Sequence, residues 1–234
     1  MVETPSHADT AADSSADSTA SADDIALAGH PTHTIADVQE TYRDQAVMMD
    51  RMDWLNRVFT GRYRERLFGK ASGRVLDVAC GVGTNAQYVP GMNEYVGIDV
   101  SRDVLARAAD RLDETWRKTT LHQMDAQDMS FPDDSFGTVI SSLSTCTFPD
   151  PIEALSEMGR VCEPDGQILL FEHGQSSVGP IAQFQDWRAD AHFEKHSCRW
   201  NQDPLELVAQ SSLSVVDSSS TFFGILTSLE ARPN

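Results

Sequence analysis

Apolar and polar positions follow two different periods along this chain. Between residues 35 and 69, apolar side chains recur every three or four positions, which predicts helix. From Gly73 onward, short apolar runs alternate with amphipathic segments. The runs predict strands at 74–79, 94–99, 119–124, 137–142 and 167–172. The intervening segments predict helices at 84–90, 101–116, 151–162 and 178–195.

The end of the chain has a different pattern. A short helix is expected from Asp203-Pro204 to about Gln210, followed by strands at 213–218 and 222–231 that form an antiparallel hairpin. Strands that alternate with helices build a parallel sheet with helices on both faces. The pattern therefore predicts an α/β fold, a Rossmann-like doubly wound seven-stranded sheet that is mostly parallel.

Composition divides the chain into three parts. Residues 1–29 are rich in Ala, Ser, Thr and Asp and predict a disordered acidic tail. Residues 30–70 predict an N-terminal helical cover. Residues 71–234 predict the sheet domain, in which 174–212 form a helical insertion.

The charge balance excludes some classes of partner. The formal net charge is −18, and Lys occurs only at positions 70, 118 and 195. Such a surface repels nucleic acid and anionic membranes, and it is typical of proteins from a salt-rich cytoplasm; an ordinary acidic protein is the alternative. No apolar run is long enough to span a membrane, and no secretory signal is visible. The four cysteines form no Cys-x-x-Cys pair, so we expect no metal and a reduced, cytoplasmic protein.

The stretch Val75-Leu-Asp-Val-Ala-Cys-Gly-Val-Gly-Thr-Asn85 carries the strongest chemical signal. Its glycines allow a sharp turn and a close ligand, and the following helix start offers free N–H groups. With Asp77 before the turn, the site suits a ligand that has both an ammonium and a carboxylate, as the methionine end of S-adenosylmethionine does. A dinucleotide turn is the alternative, because Gly81–Ala86 fits G-x-G-x-x-A, but Asp77 would repel a pyrophosphate. A structural turn without ligand is the third interpretation.

Polar residues also follow the other predicted strands. The carboxylate of Asp99 is placed to accept hydrogen bonds from both hydroxyls of a ribose, although it is also suited to cap the next helix. Asp125 is placed to accept from an adenine amino group, or to cap its own loop. In a parallel sheet the carboxyl ends of the strands share one edge, where ligands bind. Five polar positions are expected to converge there: Asp77, Asp99, Asp125, Ser142 and His173.

These motifs resemble those of a known family. The stretches Leu76–Gly83, Gly97-Ile-Asp-Val-Ser101, Asp125-Ala126, Phe131–Phe136 and Arg160–Gly166 come in the order and spacing of class I S-adenosylmethionine-dependent methyltransferases. The resemblance covers residues 40–232. The motifs are especially similar to those of the methyltransferase type 11 branch, which includes ubiquinone/menaquinone methyltransferases. Where many of those relatives have histidines, this chain has Cys146 and Thr147.

A narrower resemblance lies in the last third of the chain. Glu172-His173, Gln185–Trp187 and Ser197–Asn201 are similar to segments of thiol S-methyltransferase-like proteins. Those proteins carry a membrane anchor, whereas this chain has an acidic tail, so their membrane association is not carried over.

The resemblance implies a cofactor site and an acceptor side. S-adenosyl-L-methionine, with S-adenosyl-L-homocysteine as its product, would contact the following residues: Asp77, Ala79, Cys80, Gly81, Gly83, Asn85, Asp99, Val100, Asp125, Ala126 and Ser142. Tyr42, Cys146 and Cys198 would line the acceptor side. His173 is the candidate general base, since a neutral imidazole accepts a proton near neutral pH; a role in shaping the pocket is the alternative.

The expected activity is methyl transfer to a small-molecule acceptor: a thiol, a quinone-like ring or an amine or lipid head group. Two alternatives are a methyltransferase-like protein that binds the cofactor without turnover, and a nicotinamide oxidoreductase. We expect a monomer or a homodimer. His192 and His196 lie four positions apart, but no third metal ligand is evident from their spacing.

Overall fold

The computed structural model describes residues 33–90, 94–113 and 118–234. Helix α1 (Ile35–Phe68) leads into β1 (Val75–Val78), a 3-10 turn (Thr84–Tyr88) and β2 (Tyr95–Asp99). The chain continues through α2 (Arg102–Asp113), β3 (Thr119–Gln123), β4 (Phe136–Ser142), a 3-10 turn (Thr145–Thr147), α3 (Pro151–Val161) and β5 (Cys162–His173). It ends with α4 (Gly179–His196), α5 (Pro204–Gln210), β6 (Leu213–Thr221) and β7 (Leu226–Pro233).

The seven strands form one mixed sheet in the order β3-β2-β1-β4-β5-β7-β6. The first five strands are parallel, and β7 is antiparallel to both β5 and β6. The predicted fold class and the antiparallel C-terminal hairpin are therefore confirmed. The predicted disordered tail at 1–29 lies outside the described residues.

Two apolar layers cover the sheet. On one face Leu155 and Met158 of α3 pack with Val208 of α5. On the other face Phe68 of α1 packs with Leu112 of α2. Helices therefore lie on both faces, which leaves the carboxyl ends of the parallel strands as the open edge.

Helix α1 is one continuous helix of 34 residues. Thr34 caps its start by accepting a hydrogen bond from the backbone N–H of Asp37, and the Asp37 carboxylate accepts from the N–H of Thr34 in return. Gly61 lies inside the helix without interrupting it, and Gly69 closes it. None of the described helices combines the length and the apolar composition of a membrane span.

The structure differs from the sequence prediction most clearly at three places. The segment at 84–90 is a 3-10 turn over Thr84–Tyr88 and not an α-helix. Strand β5 begins at Cys162, five residues before the predicted start: Cys162 pairs with Phe136 of β4, and the pairing resumes at Gln167 after a register shift. The hairpin turn falls at 222–225, where Phe222, Phe223 and Gly224 all have positive φ.

Candidate functional site

A cavity of about 280 Å³ opens at the carboxyl ends of β1, β2 and β4 and is roofed by α1. Its wall contains most of the residues that the sequence motifs single out: Tyr42, Ala79, Cys80, Gly81, Asn85, Asp99, Val100, Asp125, Ala126 and Ser142. The sheet edge therefore brings residues from four separate loops to one site.

The turn after β1 has a backbone that glycine favours. Gly81 and Gly83 have φ of 57° and 77°, and Ala79 adopts 53° although it carries a Cβ. This conformation lets the N–H of Gly81 donate to the Asp99 carboxylate at 3.1 Å. The second Asp99 oxygen accepts from the N–H of Ser101 at 2.9 Å. Asp99 thus has a fixed orientation at the cavity wall, and burial raises its pKa.

Asp77 lies beneath this turn and not in the cavity wall. It is fully buried. Its two oxygens each accept a hydrogen bond from the Asn85 side-chain amide at 3.1 Å, and the Tyr95 hydroxyl donates to one of them. Burial raises the pKa of Asp77 to about 7, although Tyr95, Asn85 and the charge of Arg64 oppose that shift. Asn85, which does line the cavity, therefore lies next to a buried acid.

Helix α1 contributes a buried cation that the sequence analysis missed. Arg64 donates to the Thr60 hydroxyl at 3.0 Å and also donates to the Asn85 side chain. Arg64 lines the cavity although its side chain is buried. In the sequence it is one of several charged residues near the end of α1, so only its contact with Asn85 reveals its place in the site.

A second link joins α1 to the same turn. Asp53 is buried, accepts a hydrogen bond from the Thr84 hydroxyl and pairs with Arg111 of α2 at 2.8 Å. Asp50 pairs with Arg107 and Arg111 at 3.3 and 2.8 Å. These contacts hold the roof of the cavity to the domain beneath it.

Of the remaining cofactor-side predictions, Asp125, Ala126 and Ser142 line the cavity, whereas Gly83 does not. One Asp125 oxygen accepts from the N–H of Gln127 at 2.9 Å, which orients the carboxylate in its loop. The Ser142 hydroxyl at the end of β4 is buried and has no hydrogen-bond partner among the described residues. A buried hydroxyl without a partner is costly, so Ser142 fits a ligand that supplies one.

The segment after β4 is held by one buried carboxylate. Glu172 of β5 is fully buried. It accepts hydrogen bonds from the N–H groups of Ser144 and Thr145 at 2.9 and 3.3 Å and from the Ser141 hydroxyl at 3.1 Å. Burial raises the pKa of Glu172, against the opposing effects of His173 and these N–H groups. The segment that carries Cys146 is therefore fixed to β5.

Cys146, His173 and Cys198 meet beside this segment. The two sulfurs are 3.1 Å apart, and Nε2 of His173 lies 3.2 Å from the sulfur of Cys146 and 3.4 Å from that of Cys198. The contact with Cys146 lowers the pKa of Cys198 to about 4, against its burial and with help from His173. Burial lowers the pKa of His173. The hydrogen bond and charge of Cys198 and the charge of Glu172 raise it by more, so the net shift is upward.

Tyr42 connects this cluster with the cavity. Its ring lines the cavity. Burial raises the pKa of its hydroxyl well above the usual value, and the charges of Cys146, Cys198 and Asp99 raise it further. Of the predicted acceptor-side residues, Tyr42 therefore lies in the cavity wall, whereas Cys146 and Cys198 do not; the candidate base His173 also lies outside the wall.

Comparisons with known proteins agree with this geometry. A family model described as "Methyltransferase domain" matches residues 76–170. Phosphatidylethanolamine N-methyltransferase of Cereibacter sphaeroides is 34% identical over 151 residues, which cover 63% of this chain and 73% of that protein. The chain is a class I S-adenosylmethionine-dependent methyltransferase.

More distant relatives share parts of this methyltransferase. Ubiquinone/menaquinone biosynthesis C-methyltransferase UbiE of Bdellovibrio bacteriovorus is 31% identical over 47% of this chain, which spans about half of that protein (48%). The crystal structure of the [4+2]-cyclase SpnF covers 88% of this chain and 98% of its own at 18% identity with a TM-score of 0.67, which shows the shared fold.

Membership of the methyltransferase family implies use of S-adenosylmethionine, and the cavity fits such a group. The fit rests on the oriented Asp99 carboxylate and on the buried Ser142 hydroxyl that lacks a partner among the described residues. The sequence motifs identified most of the residues that line this cavity. They did not locate Arg64 or Asp53, because these residues reach the site from a helix outside the motifs.

Proposed function

We propose that this methyltransferase binds S-adenosylmethionine in the cavity beneath α1 and transfers the methyl group to a small molecule with an apolar body. The observation that carries the proposal is that Asp99 and Ser142 line the same cavity, at the ends of β2 and β4, the two strands that flank β1 in the sheet. The first is a fixed acceptor and the second is a buried hydroxyl whose partner has to come from a ligand.

Each part of the cofactor has a matching group in the chain. Asp99 would accept from the ribose hydroxyls, and Asp125 with the N–H of Ala126 would bind the adenine. The turn from Ala79 to Gly83 would face the methionine part. Asp77 would act on the ammonium through Asn85, since its carboxylate lies behind that side chain.

The chain's own contribution to the reaction is position and exclusion of water. The bound cofactor supplies a methyl group already activated on a positively charged sulfur. Helix α1 covers the cavity, and its two anchors through Asp53 and Arg64 keep it over the reacting groups. Alignment of the reactants and removal of water supply most of the acceleration in such a transfer.

Apolar lining residues support an apolar acceptor. Ile35 and Val38 of α1 and Phe148 line the cavity, together with the hydroxyl-bearing side chains of Tyr42 and Thr147. Since its pKa is raised, Tyr42 keeps its proton at neutral pH and serves as a hydrogen-bond donor. The proposed base role of His173 stays a prediction: its Nε2 faces the two sulfurs.

The identity of the methyl acceptor is tested by measuring the mass of the product. Purified protein is incubated with S-adenosylmethionine and, separately, with phosphatidylethanolamine, a demethylated quinone and an alkyl thiol. We expect a mass gain of one methylene group on one of these probes. The variant Asp99→Ala is expected to bind S-adenosylhomocysteine much more weakly and to lose the transfer. Transfer to a water-soluble acceptor without an apolar part, and to none of the three probes, would contradict the acceptor proposal.

A further inference from the structure

We propose that Cys146, His173 and Cys198 form a binding site for a zinc-class metal ion. The proposal does not depend on the identity of the methyl acceptor, because it rests on side chains behind the cavity wall. Their three ligand atoms all lie within 4.8 Å of one another. Two sulfurs and one imidazole nitrogen are the donor set that Zn²⁺ takes in many proteins.

The distances between the ligand atoms fit a metal after a small adjustment. Tetrahedral zinc separates two thiolate sulfurs by about 3.8 Å and a sulfur from an imidazole nitrogen by about 3.6 Å, given the usual bond lengths. The observed separations are 3.1 Å between the sulfurs and 3.2 and 3.4 Å from each sulfur to Nε2. A displacement of each sulfur by a few tenths of an ångström, through rotation of its side chain, therefore makes room for the ion.

The backbone holds the three ligands in place from separate elements. Cys146 lies in the segment that Glu172 fixes, and His173 is the last residue of β5. Cys198 follows Ser197, which ends α4 in a left-handed conformation with φ of 51°. The N–H of Arg199 donates to the carbonyl of Cys146 at 2.8 Å, which ties the two cysteine segments together. A site held in this way needs little reorganisation to bind an ion.

The surroundings favour a soft or borderline cation with one further position. Cys146 and Cys198 are buried, and thiolate ligands select zinc over the hard ions Mg²⁺ and Ca²⁺. The His192 side chain hydrogen-bonds the Cys198 thiol, and three protein ligands leave the fourth position of a tetrahedral ion open. In the complex both sulfurs are thiolates and Nε2 of His173 carries no proton, and any proton that these groups held leaves to solvent.

Such an ion would strengthen the acceptor end of the cavity. It would join the segment after β4 to the segment after α4, directly behind Tyr42. The sequence gives no sign of this site because its ligands are 27 and 25 positions apart, and only the sheet and α4 bring them together.

The test is a Co²⁺ titration of the full-length protein after treatment with a chelator and a thiol reductant. We expect one Co²⁺ per chain with a thiolate-to-cobalt charge-transfer band and tetrahedral d–d absorption, and displacement by Zn²⁺. Cys146→Ser and Cys198→Ser should each lose the band. Their Zn²⁺ affinity should fall by more than the roughly 10- to 100-fold that loss of an outer-shell partner costs.

Two controls separate loss of the site from loss of the fold. Cys162→Ser changes a buried thiol of β5 that contacts the carbonyl of Gln167, so it should bind Co²⁺ as the parent does. Calorimetry with S-adenosylhomocysteine should show unchanged cofactor binding in Cys198→Ser, because Cys198 is outside the cavity wall. An unchanged charge-transfer band in both cysteine variants overturns the proposal. So does a reduced parent protein that binds no Co²⁺ while still binding S-adenosylhomocysteine.

Discussion

Asn85 donates its side-chain amide to both carboxylate oxygens of Asp77, at 3.1 Å each. Asp77 is fully buried, and its pKa is raised to about 7, above that of an aspartate in an unfolded chain. The folded protein therefore holds a proton that the unfolded chain has lost between about pH 4 and pH 7. By linkage, this group makes the folded state less stable as the pH rises through that window.

The variant Asp77→Asn should remove that dependence. Between pH 5 and pH 8, the free energy of unfolding of the parent should fall relative to the variant by about 2 kcal/mol. Denaturant unfolding at the two pH values measures the difference. Asp128→Asn, which changes an exposed aspartate, serves as the charge-matched control and should track the parent. Parallel pH profiles for the parent and Asp77→Asn would contradict the assignment.

Gly81 should be sensitive to a single added methyl group. Its φ is 57°, and an added Cβ would meet only the end of the Met49 side chain at 3.7 Å, so strain and not collision decides the effect. Gly81→Ala should lower the free energy of unfolding by about 1 kcal/mol and weaken S-adenosylhomocysteine binding about tenfold, as the strained turn relaxes. Gly179→Ala, whose added Cβ meets nothing within 4 Å, is the matched control. Equal cofactor affinity in both variants would argue against a role of the turn.

The anchor of α1 should matter for stability and for cofactor binding together. Asp53→Ala leaves Arg111 without one of its partners and Thr84 without its acceptor. We expect a loss of up to about 3 kcal/mol in unfolding free energy, reduced from the buried-pair value because Arg111 is partly exposed. Calorimetry should show weaker S-adenosylhomocysteine binding. Asp44→Ala, on the exposed face of the same helix, should leave both quantities unchanged; a similar loss there would show that the effect is not specific to the anchor.

Glu172 should act as a positioning residue for the segment after β4. In Glu172→Gln, one of the two acceptor oxygens becomes an amide donor that faces N–H groups or the Ser141 hydroxyl. The expected loss of stability is about 1–3 kcal/mol, the cost of leaving a buried donor without an acceptor. Thermal or denaturant unfolding measures it. Glu163→Gln, an exposed glutamate of the same strand, should be neutral, and an equal loss there would remove the positioning role.

The acidic surface leads to a salt prediction. With a net charge of −18, repulsion between carboxylates opposes the compact state at low ionic strength. Molar KCl shortens the screening length to about 3 Å and should raise the free energy of unfolding. Circular dichroism during denaturation, with and without KCl, checks this expectation. A protein that is equally stable without added salt would contradict the proposed high-salt origin.

Most of the cavity wall could be predicted because its groups lie close to their strands in sequence. Asp99 and Asp125 directly follow predicted strands, and parallel strands place their carboxyl ends on one edge whatever the side chains do. Asp77 was expected to face the ligand, and the structure places its carboxylate behind Asn85 instead. Which side chain of this turn faces the cavity depends on packing against Tyr95 and Arg64. The hydrophobic periodicity of the sequence does not predict that packing.

The chain's alternation of strand and helix, its glycine turn and its charge are properties of neighbouring residues, so the sequence by itself determined the fold class, the sheet edge at which the cavity opens, and the family. Contacts between residues far apart in the chain depend on how the elements pack. Only the tertiary structure therefore decided that Arg64 and Asp53 anchor the roof of the cavity. It likewise brought Cys146, His173 and Cys198 together, because a buried cluster forms where the ends of separate elements meet and leaves no local pattern in the sequence.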